Sequence, residues 1–125
     1  SGQPEVYLTD FPDGSTRRLV SSGVGSSPTW TSDGQELVYR KPVEGQVAMI
    51  SVGVETSEDG IELGRPEELF RGLYVEGWMY FGRFYDMTAD GQRFLMARVA
   101  EPGQSLERVT VVLNWLDELE GRFAE

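Results

Sequence analysis

Apolar and polar residues alternate with period two along most of this chain, and turn-forming clusters punctuate the alternation at short intervals. Glu5-Val6-Tyr7-Leu8-Thr9-Asp10-Phe11 alternates and then meets Pro12-Asp13-Gly14. Proline presets φ and Asp-Gly tolerates positive φ, so this tripeptide predicts a turn, with Thr16–Val20 as the returning strand. The Ser/Gly-rich stretch 21–27 reads as a connector. Pro28–Thr31 predicts a short strand, Ser32-Asp33-Gly34 a turn, and Glu36–Arg40 the strand that follows, ended by Pro42 and Gly45. Gln46–Val54 has the highest β-propensity in the chain. A polar loop from Glu55 to Gly60 leads to a pairing strand from about Ile61 to Phe70. The pattern then restarts. Phe84–Thr88 is a strand, Ala89-Asp90-Gly91 a turn, Arg93–Arg98 a strand, and Arg108–Trp115 another after the break at Glu101-Pro102-Gly103. Asn114 stands at an N-cap position with Asp117 three residues on, which predicts a short terminal helix over Leu116–Phe123.

The restart is a repeat. Thr31-Ser-Asp-Gly-Gln-Glu-Leu-Val-Tyr39 aligns with Thr88-Ala-Asp-Gly-Gln-Arg-Phe-Leu-Met96 at an offset of 57 residues. Threonine, the Asp-Gly pair and glutamine coincide, and three apolar residues end each copy. A Pro/Gly break and a long apolar strand follow both. One unit therefore reads as strands a (Pro28–Thr31), b (Glu36–Arg40), c (Gln46–Val54) and d (about Ile61–Phe70). The N-terminal hairpin supplies c and d of a preceding unit and the C-terminal part a, b and c of a following one. The resulting order is c-d, a-b-c-d, a-b-c. By residues, 1–27 ends one unit, 28–72 is complete, and 73–125 is an incomplete unit plus the helix. Four antiparallel strands repeated with this period, and a strand c apolar on both faces, predict an all-β stack of β-propeller blades, each covered by its neighbours. A small β-sandwich is the alternative, but it needs no internal repeat.

Composition narrows the chemistry. The chain has 125 residues, of which 39% are hydrophobic and 26% charged, a globular composition. Its apolar runs are too short to cross a bilayer. It has no cysteine and no histidine. Thiolate chemistry, cysteine zinc sites, the usual general base and the usual partner of a serine nucleophile are thereby removed. The 11 basic and 21 acidic residues leave a net charge of −10, which opposes binding to nucleic acid or anionic membranes. A basic partner or a cation would suit such a surface.

The ordered motifs carry a family resemblance. Pro28-x-Trp30-x-x-Asp33-Gly34-x-x-Leu37-x-Tyr39 resembles the blade motif of TolB-type, WD40-like (PD40-type) propellers. Glu5–Pro12 resembles the EVYV-PFP strand that precedes that motif. Tyr85-Asp86, Asp90–Met96 and Val111-Val-Leu-Asn-Trp-Leu-Asp-Glu-Leu119 are similar to the C-terminus of bacterial propellers fused behind serine/threonine kinases, which ends in VVLNWFEEL. The resemblance spans about Glu5 to Leu119 and departs at Asp13 and at Gly121-Arg122-Phe123. It implies a non-catalytic binding module acting as scaffold or sensor, and an extracytoplasmic or periplasmic setting. No kinase motif is present in the chain.

No catalytic, metal or cofactor residues are expected. Asp33 and Asp90 fit tight turns, with nothing like the oxygen ladder of a calcium loop. Glu67-Glu68 and Asp117-Glu118 are sequence neighbours, which do not face each other on a strand or on a helix. A carboxylate-based hydrolase or lyase in a propeller funnel is the alternative function, and an inactive structural fragment another. Trp30 and Trp115 are expected to pack between blades. Trp78 lies in an aromatic connection with Tyr74, Met79, Tyr80 and Phe81. Because the outer units are incomplete, Val6, Leu8, Val111 and Leu113 are expected on open faces, and Trp78 is a further candidate interface residue. Self-association or the remaining blades of a longer polypeptide would cover them, worth about 25 cal/mol per Å² of apolar surface.

Overall fold

The computed structural model of the chain describes residues 2–75 and 83–98. Among these, every regular element is a strand paired antiparallel: β1 (Tyr7–Thr9), β2 (Arg17–Leu19), β3 (Ser26–Trp30), β4 (Glu36–Val43), β5 (Gln46–Ser57), β6 (Gly60–Leu63), β7 (Glu67–Gly72), β8 (Tyr85–Met87) and β9 (Phe94–Met96). β1–β2 and β8–β9 are separate hairpins, and β3 to β7 form one five-stranded sheet. The strand expected over Arg108–Trp115 and the helix over Leu116–Phe123 lie outside the described residues.

Local chemistry sets where the strands stop. β1 and β2 are shorter than the alternation predicts because Asp10 diverts the chain. Its carboxylate accepts the Thr16 amide at 2.6 Å and the Ser15 hydroxyl at 2.9 Å, closing a side-chain turn in place of further ladder. β4, in contrast, runs past Arg40 and through Pro42 to Val43. Glu44 (φ 50°) and Gly45 (φ 77°) then form a two-residue hairpin turn with both centres in the left-handed region. Bonded pairs alternate from the turn-flanking Val43–Gln46 pair, so Pro42, opposite Val47, has its missing N–H directed away from β5. β3 ends its pairing opposite Arg40, and among the described residues that edge of β4 is free of the ladder at Pro42.

The expected single strand d is two strands. β6 pairs Val54–Ser57 and β7 pairs Val47–Ser51, so the 12-residue β5 takes a different partner along each half. Gly64 and Pro66 explain the break. Gly64 donates its amide to the Gly53 carbonyl at 2.8 Å, and proline has no amide to continue the ladder.

The central sheet is covered on both faces, which is why β5 is buried nearly continuously over residues 47–52. Val6 and Val20 of the first hairpin pack with Leu37, Tyr39, Ala48, Ile50, Val52 and Val54 on one face. Tyr85, with Met87, Phe94 and Met96 around it, packs with Val38 and Met49 on the other. The chain is thus layered: hairpin, sheet, hairpin. Val6 and Leu8 were expected on an open face and are not there. Val6 is only 3% exposed and Leu8 is half-buried, both against the central sheet. The alternation is correct, but its apolar face turns inward on the same chain.

Candidate interaction surface

The repeated turns have the same construction, bond for bond. In the first, the Gly34 amide donates to the Thr31 carbonyl at 2.9 Å, the Thr31 hydroxyl to the Asp33 carboxylate at 2.6 Å, and the Gln35 amide to the same carboxylate at 3.0 Å. In the second, Gly91 donates to Thr88 at 2.8 Å, the Thr88 hydroxyl to Asp90 at 2.5 Å, and Gln92 to Asp90 at 3.0 Å. The threonine oxygen also accepts the amide five residues on, at 3.2 Å from Glu36 and 3.1 Å from Arg93. Gly34 and Gly91 take φ of 68° and 70°, which only glycine adopts without strain. Asp33 and Asp90 are therefore committed to their turns.

These bonds have an electrostatic signature. The Thr31 hydroxyl, then the Gln35 amide, hold Asp33 below the usual carboxylate range, and Thr88 and Gln92 do the same for Asp90. The Thr16 amide and Ser15 hydroxyl lower Asp10. Glu68 is lowered by Arg71, whose guanidinium bonds it at 2.7 and 3.0 Å. A carboxylate lowered on folding contributes stability that is present above its unfolded pKa of about 4 and is lost as pH falls through the folded value. The thermal midpoint is expected to be flat through mildly acidic pH and to fall below about pH 4. Asp33→Asn with Asp90→Asn should flatten that fall, which thermal scans across pH will measure.

The two turns also touch. The Ser32 amide donates to the Ala89 carbonyl at 2.8 Å, across the boundary between sheet and hairpin. Tyr85 is the second link. Its buried hydroxyl donates to the Ser27 carbonyl at 2.6 Å and lies 2.9 Å from the Thr29 hydroxyl. Burial raises its pKa, so the phenol stays protonated as a donor at neutral pH. The Ser27 carbonyl is presented by a bulge: the β3–β4 register shifts between Ser26 and Thr29, and Ser27 takes φ 52°. Arg40 is the third link. It is buried, and its guanidinium donates to the Val75 carbonyl, while the Val75 amide reaches the Ala97 carbonyl at 2.8 Å. Tyr85→Phe is expected to cost about 1–2 kcal/mol, because it leaves buried acceptors without their donor. Equilibrium denaturation gives the value, and Tyr7→Phe is the exposed control.

The outward surface is apolar in a few places. Tyr7 and Leu19 sit opposite each other on the outer side of the first hairpin, with the Arg17 guanidinium 3.8 Å over the Tyr7 ring. Leu69 is exposed where β7 slips register against Met49 and Ile50. Trp30, expected to pack between units, is 43% exposed. A shallow cleft of about 620 Å³ runs between the first hairpin and β6, lined by Arg17, Arg18, Leu19, Ile61, Glu62 and Leu63. Among the described residues no three acidic side chains gather as a metal site. Trp78, Val111 and Leu113 lie outside the described residues. The bulged Ser27 carbonyl and the buried Arg40 carry no signal in the sequence pattern, since both acquire their roles from a neighbouring unit. No family model, curated protein or solved structure matches the chain.

Proposed function

We propose that this chain is a segment of a WD40-like propeller and serves as a non-catalytic interaction module, a scaffold or sensor piece built from stacked strand–turn–strand units. The observation that carries this reading is the pair of identical Thr-x-Asp-Gly turns docked on each other by the Ser32–Ala89 hydrogen bond. A repeat whose second copy stacks on the sheet that carries the first, a sheet covered on both sides, is the unit relation a propeller needs. The alternative of a carboxylate hydrolase calls for an acid with a raised pKa, whereas the carboxylates with a resolved shift among the described residues, Asp10, Asp33, Asp90 and Glu68, are displaced downward by donors. The chain should turn over no ester, phosphate or glycoside in a panel of chromogenic substrates. Turnover that vanishes on replacing one aspartate or glutamate would overturn the proposal.

A further inference from the structure

The contact between the central sheet and the β8–β9 hairpin has two different sides. The sheet offers the Val38 side chain, the Ser32 amide and the Thr31 methyl. The hairpin offers Tyr85 and Met87, the Ala89 carbonyl, and Gly91, on which a Cβ would lie 2.9 Å from the Thr31 methyl. The repeat carries Met87, the Ala89 carbonyl and Gly91 onto counterparts one unit away, while Tyr85 falls on Pro28 and its hydroxyl link has none. Met87 maps to Trp30, the Ala89 carbonyl to the Ser32 carbonyl, and Gly91 to Gly34. These counterparts are open among the described residues. Trp30 is 43% exposed, no amide bonds the Ser32 carbonyl, and nothing lies within 4 Å of a Cβ on Gly34. In the other direction Val38 maps to Leu95 and the Ser32 amide to the Ala89 amide, which has no acceptor among the described residues. The first hairpin adds a third opening. Among the described residues β5 has strands on both edges, whereas β1 pairs only with β2.

We propose that this chain binds a second copy of itself head to tail, the β8–β9 hairpin of one copy seating on Trp30 of the other. Leu95 of the second copy covers Trp30, and its Ala89 amide bonds the Ser32 carbonyl, repeating the Val38–Met87 packing and the Ser32–Ala89 hydrogen bond made within one chain. The seated hairpin lies beside the open edge of β1. The two sides differ, so the contact is heterologous and leaves a free side on each end of a dimer. Each copy carries −10, so repulsion weakens the pairing at low ionic strength and salt strengthens it.

This inference rests on the stacked-unit reading, and the experiment separates the two. Light scattering is measured on the full chain from low micromolar to near-millimolar concentration, at low and high salt. The average mass is expected to rise with concentration, more steeply in salt. Trp30→Lys and Leu95→Lys should each weaken self-association at least about tenfold. An equal mixture should recover one-to-one dimers, since each variant keeps the half that the other lost. Ser32 amide protection establishes that each variant is folded, and Leu95→Ser replaces Leu95→Lys if the lysine disrupts the hairpin. A wild-type chain that is monomeric at every concentration overturns the proposal, as does a mixture of folded variants that stays monomeric. Ser32 protection in those samples leaves the stacked units standing, and its loss removes both.

Discussion

Met49→Ala is expected to lower the free energy of unfolding by about 2–5 kcal/mol, the range for deleting a large buried side chain and leaving a cavity. Met49 is fully buried, paired with Arg40 of β4 on one side and Phe70 of β7 on the other. It packs with Val38 and Tyr85, so it holds the central sheet to the second hairpin. The site has little room to collapse, because Phe70 and Phe94 already meet edge to face at 5.0 Å. Met49→Leu conserves volume and should cost under about 1.5 kcal/mol. Urea denaturation of the two variants provides the check. A loss below about 1 kcal/mol for the alanine variant would mean that the second hairpin does not cover that face.

Gly91→Ala and Gly34→Ala form a pair with unequal expected outcomes. Both glycines take nearly the same left-handed φ, 70° and 68°, so both substitutions incur the same backbone strain, about 1–2 kcal/mol. They differ in what the new methyl group meets. At Gly34 there is open space, but at Gly91 the Thr31 methyl stands 2.9 Å away. Gly34→Ala should cost the strain alone, and Gly91→Ala about 2–4 kcal/mol in all, once overpacking is added. Equilibrium denaturation reads the difference between them, which is the effect of the inter-unit contact. Equal losses would mean that the turns do not touch.

How much of this was legible in the residues depends on whether the cause was local. The turns were legible because Thr31-x-Asp33-Gly34 and Thr88-x-Asp90-Gly91 contain their own donors and acceptors. The long β5, apolar at successive positions, was legible as a strand covered on both faces. Division of the fourth strand at Gly64 and Pro66 was not, because it follows from the length of β5 and the approach of Gly64 to Gly53. The bulge at Ser27 acquires its role from Tyr85, far along the chain. Val6 was read as lying on an open face because alternation says which residues share a face and nothing about which way that face turns. Trp30 was read as packed because its motif position suits an inter-unit contact, and the structure finds that position open. Of the candidate interface, then, the sequence pattern supplied the residue types and the stacking of units decided which of them stayed exposed.

The stacking of equivalent turns is tested most directly by amide hydrogen exchange at two residues, in dilute, monomeric protein. Ser32 and Ala89 hold the same place in turns of the same construction, and both residues are exposed. Only the Ser32 amide has an acceptor among the described residues, the Ala89 carbonyl of the neighbouring unit. Local structure alone would make the two exchange alike. Docked turns predict slow exchange at Ser32 and fast exchange at Ala89, with the protection of Ser32 reduced by Tyr85→Phe. Equal exchange rates at the two amides would contradict the stacked arrangement.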